Sequence, residues 1–213
     1  MTKDTYKTGD TVFTDWINGN YKFDFNTVFY LGIRTAAIVE LLTKHKVKNW
    51  KQLKKLTKYT HVGKIVKVNK DSYIIAEATG EGYVFNEYKK DYIDRLVKQN
   101  YFLIKRPTHK LTNVYKEASK LEDRRYGWMS IVRIGISTLG KLVPFGKYVT
   151  YIPLTNKLID KIIDKHLICT EANAKIDYIC SCKKINMSEE FNVEKDRLMP
   201  MHHKKSKYLK TIK

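Results

Sequence analysis

Acidic residues are scarce in this chain: 22 Asp and Glu stand against 41 Lys and Arg over 213 residues, a formal charge of +19 at neutral pH. A field of that sign attracts polyanions, whether nucleic acid, anionic lipid or anionic wall polymer, without recognising any one of them. A lysine-rich bias that serves only solubility explains the same excess equally well. Cysteine is also sparse: Cys169, Cys180 and Cys182 are odd in number and close together, which argues against a disulfide framework and for free thiols in a reducing compartment. Long apolar runs are missing. The best, Ile131 to Phe145, is interrupted by Arg133 and Lys141 and falls short of the ~18 apolar residues that a spanning helix needs. The first ten residues carry charges with no apolar stretch behind them, so no signal peptide is expected, and the expected location is cytoplasmic or virion-associated. Internal repeats and low-complexity tracts are absent as well.

What is present reads as a globular chain, with 43% hydrophobic and 30% charged residues. Its length suits one domain that buries roughly 70% of the surface of the unfolded chain. Asp10 to Phe13 reads as a short strand after a Gly-Asp turn. Phe29, Ile33, Ala36, Ala37 and Leu41 recur at helical spacing within Asn26 to Lys44, and a second amphipathic piece surrounds Trp50, Leu53 and Leu56. The period then changes to that of strands. Thr60 to Val68 and Tyr73 to Ala78 are β-branched and aromatic runs joined by Asn69-Lys-Asp-Ser72, and Gly80-Glu-Gly82 turns into Tyr83-Val-Phe85, which together predict an antiparallel meander. Asp91 to Gln99 and Leu111 to Leu121 read as helices on either side of a strand from Tyr101 to Lys105 that Pro107 stops. Tyr126 to Pro153 carries no assignable pattern. Asn156 to His166 and Cys169 to Ile179 have helical spacing, the second opening with Thr170 as an acceptor and Glu171 as a negative charge at the helix start. The tail from Met201 is basic and is expected to be an exposed arm that a polyanion could meet.

One constellation could carry chemistry. A thiol becomes a nucleophile when held as thiolate, which a helix N-terminus and a nearby imidazole both favour, and Cys169 sits at a helix start. His61 begins a strand, and Glu77 lies near the end of the next. A hairpin closed by Asn69 to Ser72 pairs residues whose numbers sum to about 138–141, which brings His61 and Glu77 close to opposite, within reach of a carboxylate–imidazole hydrogen bond. Singly, each residue also has an ordinary reading: a buried cysteine, a strand-edge histidine and a solvated glutamate.

Taken in order, Gly9-Asp10-Thr-Val-Phe13, Thr60-His61-Val62-Gly63-Lys64-Ile65-Val66, Ile75-Ala76-Glu77-Ala78 and Ile168-Cys169-Thr170-Glu171 resemble the motifs of the permuted NlpC-type papain-like cysteine hydrolases, the YiiX-like branch related to lecithin retinol acyltransferase-like proteins. In that branch the histidine strand precedes the cysteine helix, as it does here. Tyr101 to Arg106 and Tyr126-Gly127-Trp128 resemble the family's later strand and aromatic segment. The chain departs from the pattern in its helical, basic insertion, in Thr170 where a serine is usual, and near Leu198-Met-Pro200, where a Pro-Gly-Asp sequence would be expected.

The resemblance implies an α+β, circularly permuted papain-like fold: an antiparallel sheet of about five strands with the cysteine-bearing helix packed against it. The domain would cover residues 1–200, with the insertion at about 20–58 and a basic tail at 201–213. It also implies a triad in which Cys169 attacks an acyl carbon, His61 takes and returns the proton, and Glu77 fixes the imidazole tautomer, with the oxyanion near the Cys169 backbone N–H. Three functions then compete. They are amide hydrolysis in a peptide or wall peptide, acyl hydrolysis or transfer on a lipid at an anionic membrane, and an idle scaffold that binds nucleic acid or another polyanion. Peptide, wall-polymer or lipid substrates are the expected partners, with the basic face available to an anionic polymer or membrane. No cofactor is expected, and no metal: Cys180-Ser-Cys182 with His202-His203 lacks zinc spacing, and Gly80-Glu-Gly82 lacks the rest of a phosphate loop. His45, His109 and His166 lie among lysines and read as solvated.

Overall fold

The computed structural model describes residues 5–15, 33–39, 41–42, 49–122, 124–126, 166–193 and 198–212. Its centre is a six-stranded antiparallel sheet. In chain order the strands are β1 (Thr11–Thr14), β2 (His61–Val68), β3 (Ser72–Thr79), β4 (Gly82–Lys89), β5 (Phe102–Pro107) and, after a separate short pair, β8 (Leu209–Thr211); in space they run β4-β3-β2-β1-β5-β8. The β-branched runs that predicted the meander form β2 and β3, and the Asn69-to-Ser72 turn closes them through an Asn69 N–H to Ser72 C=O bond of 2.9 Å. Their register pairs Gly63 with Glu77 and Ile65 with Ile75, then shifts by one residue between Ile65 and Lys67. Gly82 opens β4 at φ +124°, and a Cβ there would stand 2.9 Å from the Arg124 carbonyl, so the turn needs glycine. β4 continues to Lys89, beyond the expected Phe85, and pairs with all of β3.

The chain end departs most from expectation. In place of an exposed arm, Pro200–Lys205 forms a helix with Met201, His202 and His203 buried, and Leu209–Thr211 supplies a sixth strand beside β5. Apolar Met199, Met201 and Leu209 each find a core, and that burial outweighs the local preference of a lysine-rich segment for solvent.

Helices cover both faces. On one lies Cys169–Cys180, whose Ala172 and Ile176 pack on Val66, Ala76 and Ala78 of the sheet. On the other, Ile93 of Lys90–Lys98 joins Val12, Ile65, Tyr73, Ile75 and Ile104. In chain order the helices with defined bounds are α1 (Trp50–Thr57), α2 (Lys90–Lys98), α3 (Val114–Ser119), α4 (Cys169–Cys180), α5 (Met187–Phe191) and α6 (Pro200–Lys205). Helical residues 33–39 and 41–42 precede them, within the helix expected from Asn26 to Lys44. α3 is shorter than expected because Asn113, at φ 57°, sets its start. β6 (Arg125–Tyr126) and β7 (His166–Leu167) pair in parallel just before α4, so His166 ends in a strand and not in the helix expected from Asn156. The rest of that helix, the patternless stretch after Tyr126, and His45 lie outside the described residues. Among the described residues no helix is long and apolar enough to cross a membrane.

Candidate active site

β2 runs between β1 and β3, and its first residue, His61, is completely buried. Glu77 stands opposite Gly63, so it is diagonal to His61, close to opposite as the turn predicted. Alternation still puts positions 61, 63 and 77 on one face. Gly63 closes the gap between them: a Cβ there would come within 2.8 Å of Ile75 Cγ2 and 3.5 Å of Glu77 Cβ, the space through which the carboxylate leans. Glu77 Oε2 meets His61 Nε2 at 2.8 Å. Oε1 accepts from Asn86 Nδ2 and Tyr88 Oη, each at 2.9 Å. Asn86 and Tyr88 are β4 residues paired with Ile75 and Tyr73, on the Glu77 face. Sequence reading missed both, although two polar residues at strand spacing opposite the Glu77 strand carried the signal.

Cys169 is the first residue of α4. The residue is 3% exposed, and the position before it, Ile168, supplies no side-chain cap. Thr170 does not cap the helix as expected; its hydroxyl donates to the Leu198 carbonyl at 2.6 Å, while Glu171 does place a negative charge in the first turn. Asn173 fixes the height of the helix on the sheet by donating to the Cys169 carbonyl at 2.8 Å and the Val62 carbonyl at 3.1 Å. One turn further, Lys64 Nζ meets Asp177 Oδ1 and Thr11 Oγ1, each at 2.6 Å, with no side-chain surface of Lys64 or Asp177 reaching solvent. The start of α4 is thereby level with the start of β2, and Cys169 lies near enough for its charge to act on the His61 ring. With Nε2 held by Glu77, Nδ1 is the ring nitrogen that a thiol could use.

The electrostatics follow from these neighbours. Burial opposes a charge on His61, but the charge of Cys169 and the hydrogen bond and charge of Glu77 outweigh it and push the imidazole up to about 10. Burial likewise opposes a charge on Glu77, yet His61, Asn86 and Tyr88 together hold the carboxyl below its usual range. Burial and the Glu77 charge push the Tyr88 phenol up, so it stays protonated and donates. A narrow crevice lined by Ile33, Tyr126, Ile168, Leu198, Met199 and Pro200 reaches Cys169, with room of about 10 Å³, on the scale of one water molecule. A larger hollow of about 110 Å³ lies beside Glu77, between Thr14, Asp15, Tyr88 and Phe102.

The remaining thiols and histidines sit elsewhere. Burial, with Asp177 nearby, pushes the Cys180 thiol up to about 11, and Cys182 is exposed. Burial pushes His203 down to about 3, leaving a neutral ring that donates from Nε2 to the Thr170 carbonyl at 3.0 Å, while His202 Nδ1 accepts from the Met199 N–H. Both histidines serve α6 packing, and His109 is half-buried beside Tyr208. Among the described residues no three His, Cys, Asp or Glu side chains are placed to hold a metal ion.

Comparison of the chain with protein-family models, with curated proteins and with solved structures gives no match.

Proposed function

We propose that the protein is a cysteine hydrolase of permuted papain-like fold that cleaves an amide bond in a peptide or wall peptide, with Cys169 as nucleophile, His61 as base and Glu77 as orienting group. The supporting observation is a single imidazole hydrogen-bonded to a buried carboxylate and raised by the charge of a thiol at a helix start. In the first step His61 takes the thiol proton and sulfur bonds to the carbonyl carbon. The carbonyl π electrons move to oxygen, which faces the backbone N–H at the start of α4. His61 returns the proton to the leaving amine as the C–N bond breaks. Water, losing a proton to the same imidazole, then releases the acid from the thioester. Glu77 contributes by presenting one tautomer and by stabilising the imidazolium.

A second reading, acyl hydrolysis or transfer on a lipid ester through the same three residues, draws on the apolar character of the residues that line the Cys169 crevice. Fluorogenic peptide amides assayed against fatty-acyl esters separate the two readings. Turnover of amides is expected, falling on the order of a thousandfold or more in Cys169→Ala. Turnover confined to esters would replace the first reading with the second, and hydrolysis that survives Cys169→Ala would overturn both.

A further inference from the structure

The positive charge is unevenly organised. α2 carries Asp91 and Asp94, α3 Glu117, and α5 Glu189 and Glu190, whereas α1 and α6 contain no acidic residue at all. These two helices pack together: Leu53 of α1 joins Met199 and Met201 at the start of α6, and Lys204 Nζ donates to the Lys55 carbonyl. On the outside of this pair Lys51, Lys54, Lys55 and Lys205 are exposed, and none forms an ion pair with a carboxylate among the described residues. At its edge the ammonium groups of Lys58 and Lys204 both lie over the ring of Tyr59, at 5.4 and 4.4 Å. Burial, followed by the charges of Lys105, Lys55 and Lys58, holds Lys204 down to about 8, a measure of how crowded the ammonium groups are.

One apolar residue interrupts the lysines. Trp50 is 62% exposed at the start of α1, with the Lys54 ammonium 5.7 Å from its ring. A helix that docks on a bilayer must offer an apolar face to the acyl chains. α1 has spent its own face on the core: Leu53 is buried and Leu56 half-buried, leaving the indole alone among charges. Unpaired lysines beside a single exposed ring match a different ligand, a flexible phosphate backbone whose bases can stack.

We propose that the α1–α6 face docks single-stranded nucleic acid, its phosphates against Lys51, Lys54, Lys55 and Lys205 and a base on Trp50. Neither Trp50 nor any of these lysines belongs to the triad or lines the Cys169 crevice, so binding is expected to persist in Cys169→Ala and does not depend on the hydrolase reading.

Fluorescence anisotropy with a labelled thymidine 20-mer tests it on the full chain. For about four neutralised phosphates the dissociation constant should rise on the order of fiftyfold between 50 and 200 mM salt. The triple variant Lys51→Glu/Lys54→Glu/Lys205→Glu should weaken binding at least tenfold, whereas Lys67→Glu/Lys70→Glu/Lys98→Glu, an equal charge change at exposed sites outside α1 and α6, should weaken it less than threefold. Trp50→Ala should weaken the single strand about tenfold and leave a duplex of equal length nearly unaffected. All the substituted lysines are exposed, and a thermal melt confirms folding of each variant. Equal losses from the two triple variants would reduce the effect to net charge and overturn the site. Loss of duplex and single strand alike in Trp50→Ala would overturn stacking, and tighter binding to phosphatidylserine vesicles than to the oligonucleotide would identify a membrane surface instead.

Discussion

Two buried acid–base pairs tie β2 to its surroundings three residues apart, and they differ in what they leave available. Lys64 and Asp177 meet at 2.6 Å with no exposed side-chain surface, and the second ammonium contact, Thr11 Oγ1, is also internal. Burial pushes the Asp177 carboxyl above its usual range, and Lys64 offsets that only in part. Such a pair fixes position at an energetic cost and has nothing to exchange a proton with. His61 and Glu77 meet at 2.8 Å, but three donors hold the carboxylate low and the charge of Cys169 raises the imidazole. The same kind of contact is a clamp in one case and, on the proposed reading, an acid–base site in the other. The clamp also serves the site, because it sets the level at which α4 presents Cys169.

The sharpest way to break the comparison is to remove half of the clamp. Lys64→Met should destabilise the fold by about 3–5 kcal/mol, since Asp177 would be left buried and unpaired, while Lys64→Met/Asp177→Leu should recover most of that loss. Urea unfolding of the single and double variants reads the difference directly. Equal destabilisation by both would mean that the ion pair is itself a net source of stability.

A smaller effect is expected from Glu77→Gln, which keeps the shape of the side chain and removes its charge. Hydrolysis should fall about 10- to 100-fold, and stability at neutral pH by about 1–2 kcal/mol. The pH dependence has a defined sign. Glu77 is held low in the folded state, so the unfolded chain binds its proton more readily, and the stability from this group is present above about pH 4.3 and lost as the pH falls through the folded value. His61 is raised to about 10, so its contribution is complete below about 6.5 and is lost as the pH rises toward about 10. The gap in melting temperature between the native protein and Glu77→Gln should therefore be widest between about pH 5 and 6.5 and narrow on both sides. A gap that stays constant from pH 3 to 10 would show that the carboxylate is not coupled to the ring.

The legible parts of this fold were those whose signal is local. Alternating β-branched residues flanking Asn69-Lys-Asp-Ser72 define β2 and β3, and the helical spacing over Cys169 to Ile179 defines α4, so the three residues of the candidate site could be named and set on the right elements. What stayed hidden depends on partners distant in sequence. The diagonal placement of Glu77 comes from a register that the turn alone does not specify, and Gly63 has meaning only once that register is known. Nothing local sets Lys64 apart from the other lysines of the chain, because its partner Asp177 lies 113 residues away. His202 and His203 read as part of a charged tail for the same reason: the Thr170 carbonyl that receives one of them is 33 residues upstream.

The central claim is that His61 activates Cys169, and site-resolved alkylation of the three thiols by a small iodoacetamide probe near neutral pH tests it most directly. Cys180, held up to about 11, should stay inert, and Cys182 should react at the rate its exposure allows, with or without His61. Cys169 should label fastest despite its burial and lose that preference in His61→Ala. Labelling of Cys182 alone, or a Cys169 rate that is the same with and without His61, would contradict the account.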